Sequence, residues 1–114
     1  MRHWGWALFG LLGCATTSET TTTPEAECAT APVLTWANFG QGFLIENCQA
    51  CHASTSPNRQ GAPTTVFFDR EEDAWMWSER ILERATGEQP DMPPQDGVDV
   101  EDRTRLRLWL TCGG

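Results

Sequence analysis

Cys48-Gln49-Ala50-Cys51-His52 is the stretch on which the reading of this chain turns. Two thiols stand three positions apart and an imidazole follows the second. That spacing suits covalent attachment of a c-type haem. Each thiol adds across one vinyl group to give a thioether, and the next residue delivers its imidazole to the iron as an axial ligand. Other readings use the same residues. A structural zinc site wants four ligands, usually from two such pairs, and the only other histidine, His3, lies in a segment expected to be removed. A redox dithiol belongs in a thioredoxin-like βαβ pattern, which is not evident here. A plain disulfide needs no histidine. The expectation is one haem c held by Cys48 and Cys51, with His52 on its iron.

Outward from that motif, the chain of 114 residues has room for one domain. Eight basic residues, all arginine, face 16 acidic ones, for a net charge of −8. Such a balance argues against a nucleic-acid partner, which needs a basic face. It favours solubility and a partner that presents a basic patch.

The segment 1–13 reads as a signal peptide. Arg2 gives a charged start, and the apolar run Trp4–Gly13 is too short to span a bilayer. Leu11-Leu12-Gly13-Cys14 resembles the bacterial lipobox, in which cleavage before the cysteine leaves it lipidated. Acyl chains on Cys14 would anchor the protein to a membrane. Ala15 stands where an aspartate would resemble an inner-membrane retention cue, which points to the outer membrane and to a cell-envelope lipoprotein facing the periplasm. Ala15–Glu27 is rich in Thr and holds no apolar residue larger than Ala, so it is expected to be a linker. The expected organisation is a signal peptide over 1–13, a lipidated cysteine and linker over 14–34, and a folded domain over 35–114.

The five cysteines divide among these parts. Cys14 goes to the anchor, and Cys48 and Cys51 to the haem. Cys28 and Cys112 remain, either as a disulfide suited to an oxidising compartment or as two free thiols.

Apolar spacing predicts helices. Thr35 is a candidate N-cap for a stripe through Trp36, Phe39, Phe43 and Leu44 that runs into Cys48. Gly40 and Gly42 weaken it, which suggests a close approach by another element. Ala53–Thr65 has loop composition, with Arg59 either exposed or near a haem propionate. Val66, Phe67 and Phe68 are expected against the haem edge. One helix is expected over Asp69–Ala85, capped by Asp69 with Glu72, with Ala74, Trp77, Ile81 and Ala85 on its apolar face and Gly87 after it. A last helix is expected from Val100 to Thr111, capped by Asp99, with Leu106, Trp109 and Leu110 inward.

An iron bound by His52 has a second axial position. Met76 and Met92 are the candidates. Met76 sits mid-helix, where methionine usually fills core gaps. Met92, in a loop stiffened by Pro93 and Pro94, is the expected ligand.

Taken together, residues 35–112 resemble the class I c-type cytochromes, a family of small all-α monohaem proteins. Four features carry the resemblance: Cys48–His52 closing the first helix; Gly40, Leu44 and Cys48 at the family's spacing; Leu106–Leu110 like its last helix, whose aromatic crosses the first helix at the small residue; and Met92-Pro93-Pro94 like a distal ligand loop. Pro63 sits where the family commonly has a proline whose carbonyl accepts the histidine Nδ1–H. The lysine-rich docking rim of many members is absent. The resemblance implies an all-α cytochrome c-like fold and single-electron transfer between redox protein partners, with no catalytic residues. A labile sixth ligand would instead suit a gas sensor or peroxidase-like enzyme, and an accidental pentapeptide a haem-free structural lipoprotein.

Overall fold

A computed structural model of the chain describes Gly10, Gly13, Cys14 and residues 21–113. The expected signal peptide and the first part of the linker fall almost wholly outside the described residues. Every regular element among the described residues is helical. In order these are α1 (Pro24–Thr30), a π-helical turn (Trp36–Gly40) running into α2 (Gln41–Asn47), α3 (Gln49–His52), α4 (Glu71–Met76), α5 (Ser78–Ala85) and α6 (Val100–Cys112). No helix among the described residues is long and apolar enough to cross a membrane.

Thr35 caps the first long segment. Its Oγ1 accepts from the Asn38 N–H at 3.1 Å, and the Asn38 side chain accepts from the Thr35 N–H at 2.7 Å. The Gly40 N–H then donates back five residues to the Thr35 carbonyl at 3.0 Å, the wider winding of a π turn. Gly40 is buried against Trp109 of α6. A Cβ on Gly40 would lie 2.5 Å from Cη2 and 2.8 Å from Cε2 of that indole, closer than real side chains allow. The expected close approach is therefore at Gly40. Gly42 has open space around it.

Trp109 is fully buried and organises one half of the core. Ring centroids of Trp75, Trp36 and Phe39 lie 5.2, 6.2 and 6.3 Å from it. Leu44 and Leu106, also fully buried, fill the same contact region between the first and last helices.

The expected helix over Asp69–Ala85 is two helices, broken at Trp77 (φ −104°, ψ 11°). The break divides the apolar face. Trp75 turns toward Trp109, whereas Trp77, Ile81 and Ala85 face a cavity on the other side. Met76 is left 74% exposed, so it fills no gap in the core. The cap also differs from expectation. Buried Asp73, not Glu72, closes the first turn, accepting from the Arg70 N–H at 3.0 Å. Asp69 instead accepts from the Ser54 N–H at 3.1 Å and ties down the loop after α3.

The linker ends sooner than expected, because Pro24–Glu27 belong to α1. Thr23 caps it, proline occupies its first turn, and Glu25 and Glu27 suit the positive end of the helix dipole. It buries none of its own residues and is held from outside. Cys28 is bonded to Cys112 across 84 residues. Closing so long a loop stabilises by up to about 4–5 kcal/mol in the chain-entropy picture. Arg107 of α6 clamps Glu27 with two hydrogen bonds of 2.7 and 2.9 Å. These hold the Glu27 carboxyl below the usual range. Its contribution is present above the ordinary glutamate value and is lost as pH falls through the lowered one.

Gly40→Val should destabilise the fold by roughly 1–3 kcal/mol through overpacking against Trp109, and Gly42→Ala should stabilise it by up to about 1 kcal/mol. Denaturant midpoints of the two variants check the contrast.

Candidate functional site

The helical axis breaks at Cys48, and the motif that follows makes a single turn. The Cys51 and His52 N–H groups donate to the Cys48 carbonyl at 3.2 and 2.9 Å. Cys48 and Cys51 are not bonded to each other. Burial pushes the Cys48 thiol up to about 12, an effect that the Arg103 charge opposes, so it stays a neutral thiol at physiological pH.

Beside this turn lies a cavity of about 570 Å³. That is within the range of roughly 300–1,000 Å³ typical of small-molecule and cofactor sites. Cys48, Cys51 and His52 line it, as do Phe68, Trp77, Ile81, Ala85 and Met92. Met76 is not among the lining residues. Of the two candidate methionines, only Met92 is a residue of the cavity wall. Val66 and Phe68 line it as expected for the short apolar run, while Phe67 does not.

His52 is oriented by a neighbour other than the one expected. Its Nδ1 lies 3.1 Å from the Val66 carbonyl, not from that of Pro63. The Pro63 carbonyl is engaged elsewhere: it accepts from the Val66 N–H at 3.1 Å and from Arg59 Nη2 at 2.8 Å. The turn closed at Pro63 delivers the Val66 carbonyl to the imidazole. A carbonyl only accepts, so Nδ1 is the nitrogen that donates here, and Nε2 is the one left to face a ligand. The arrangement is tied to α3 again by Phe68 N–H to the His52 carbonyl at 2.7 Å and by Gln49 Nε2 to the Phe68 carbonyl at 2.8 Å. The Phe68 ring packs 5.0 Å from the imidazole.

Charge on the cavity wall runs against the composition of the chain. Among the described residues its charged lining residues are Arg59, Arg80 and Arg84, and no carboxylate lines it. Arg80 pairs with Glu83, and Arg84 reaches Asp91 at 2.8 and 3.0 Å. The Arg84 hydrogen bonds hold the Asp91 carboxyl below its usual range. Arg59 has backbone partners only, donating to the carbonyls of Ala53, Pro63 and Val66 at 2.7–2.9 Å. Its Nε is buried without an acceptor among the described residues.

Met92 stands in the loop after α5, where the Asp91 and Met92 N–H groups both donate to the Arg84 carbonyl at 2.9 Å. Its own carbonyl accepts from Arg103 Nη1 of α6 at 2.8 Å. Arg103 supports the Met92 loop from outside the cavity lining, a role that the sequence conceals, because a charged residue on a helix gives no sign of burial.

Among the described residues no three His, Cys, Asp or Glu side chains converge on one point as a metal site would require. The two free thiols and the imidazole nitrogen suit a broad group that takes each donor at a different atom, rather than a bare ion. The residues present fit a haem in donor type, cavity size and apolar lining. Cys14 is exposed and unbonded ahead of α1. No family model matches the chain, and no curated protein and no solved structure matches it.

Proposed function

We propose that this chain is a membrane-tethered monohaem c-type cytochrome that carries single electrons between redox partners of the cell envelope. The observation that carries the proposal is the gathering of Cys48, Cys51, His52 and Met92 on the wall of one apolar cavity. Met92, from the loop between α5 and α6, joins there the three donors of the Cys48–His52 stretch. The close approach of Gly40 to Trp109 adds support for a class I cytochrome c-like arrangement of the first and last helices.

In this account Cys48 and Cys51 hold the cofactor by two thioethers. His52, with its proton kept on Nδ1 by Val66, offers Nε2 to the iron. The Met92 sulfur would be the second group of the chain to hold the iron. The haem then supplies reversible one-electron chemistry at its iron. Held by both residues, the iron would offer no open site to a substrate. Phe68, Trp77 and Ile81 exclude water, and an apolar setting with a thioether ligand raises the reduction potential. Arg59, a residue of the cavity wall, would lie near a propionate.

A lipidated Cys14 would tether this head to the membrane. Residues 15–23 would span at most roughly 30 Å before α1 begins. Outside the cavity the acidic surface suits a partner with a basic docking patch.

The intact mass of the mature chain, made in a host that matures c-type cytochromes, should carry one haem. The Cys48→Ala, Cys51→Ala double variant should lack that increment and its native near-UV dichroism. An unmodified wild-type mass would refute the proposal. Met92→Ala should keep the covalent haem yet bind carbon monoxide readily when reduced, whereas the wild type resists it. Equal carbon monoxide binding by both would remove Met92 from the iron.

A further inference from the structure

Among the described residues Arg103 is the buried arginine, 7% exposed on the inner face of α6. A guanidinium away from water persists only where its donors are met. Here they are met by one short segment. Nη1 donates to the carbonyls of Ala85 and Met92, both at 2.8 Å, and Nη2 donates to Asp96 Oδ1 at 3.0 Å. The acceptors are the last residue of α5, Met92 itself, and the turn that follows. That turn is closed by the Asp96 N–H on the Pro93 carbonyl at 3.0 Å. Asp96 has φ +58°, a conformation that few side chains other than Asn and Asp tolerate.

Met92 is therefore held at both ends of its backbone. Its N–H is fixed to the Arg84 carbonyl and its carbonyl to Arg103. No regular helix stabilises this stretch, which lies between α5 and α6. An apolar side chain at position 103 could pack there, but it could not bridge three acceptors on a loop. The planar fork of arginine does so in one geometry, and a lysine ammonium has no such fork.

We infer that Arg103 is the positioning residue for Met92: its guanidinium pins the Met92 carbonyl between α5 and the Asp96 turn, which keeps the thioether on the iron and closes the sixth position to outside ligands. This rests on the proposed haem ligation. Ligand choice at the site is then governed from α6, through a residue that need not touch the cofactor.

The test uses the full haem-loaded chain and three variants. Arg103→Lys keeps the charge and loses the fork. Asp96→Asn keeps the left-handed preference and removes the ion pair. Arg107→Gln breaks the neighbouring clamp on α1 and leaves Met92 alone. The readouts are the ferric methionine–iron charge-transfer band and the carbon monoxide-bound fraction of the reduced protein, each beside the thermal midpoint.

Arg103→Lys should lose the band and bind carbon monoxide about tenfold or more readily. Asp96→Asn should move the same way by less. Arg107→Gln should lower the thermal midpoint with band and binding unchanged. A folded Arg103→Lys protein with wild-type band and carbon monoxide resistance overturns the inference, as does an equal loosening in Arg107→Gln. If Arg103→Lys does not fold, Asp96→Asn decides, and a wild-type response from it overturns the inference. A haem-loaded wild type without the band overturns Met92 ligation and this inference together, whereas a wild type with the band and unaffected variants overturns the inference alone.

Discussion

The helices of this protein close around a space that their own side chains do not fill. Trp109 gives one half of the interior a solid centre, with Trp36, Phe39 and Trp75 around it and Gly40 cut back to admit it. The other half is a hollow of about 570 Å³ walled by Phe68, Trp77, Ile81 and Ala85. A chain this short has little apolar surface to bury. A haem there would give the second half of the core the apolar body that it lacks, and folding would then depend on cofactor attachment.

The surroundings of the hollow are ordered chiefly by backbone carbonyls. Val66 offers one to His52, Pro63 closes the turn that places Val66, Arg84 receives the N–H groups of Asp91 and Met92, and Met92 offers its own to Arg103. Carbonyls accept and never donate, so each such bond fixes the orientation of its partner. The three lining arginines sit in a chain with twice as many acidic as basic residues. Two of them are neutralised by carboxylates outside the lining, and the third, Arg59, has none.

Much of this was legible in the sequence because it depends on local spacing. The turn from Cys48 to His52, the Thr35 and Asp99 caps and the small residue at Gly40 follow from residue types at short intervals, and the pairing option for Cys28 and Cys112 from their being the cysteines left over. The failures have a common cause, in that each turns on what lies across the fold. Trp77 breaks a continuous helical pattern because two different apolar surroundings face its two ends, and periodicity alone cannot tell them apart. The helix at Pro24–Thr30 has capping signals but no apolar stripe, since a disulfide and an ion pair hold it in place of burial. Which carbonyl reaches His52 depends on the path of a loop, and the two candidates stand only three residues apart. Arg103 and Asp73 read as surface charges and are buried because a single set of partners receives each.

The central claim is that this hollow holds a haem whose iron takes both axial ligands from the chain. The most direct measurement is the visible absorption of the purified protein, oxidised and reduced, after expression in a host able to mature c-type cytochromes. The account predicts a coloured protein with the sharp reduced-state bands of one low-spin c-type haem. A colourless protein, or a high-spin spectrum from an iron with an open position, would contradict it.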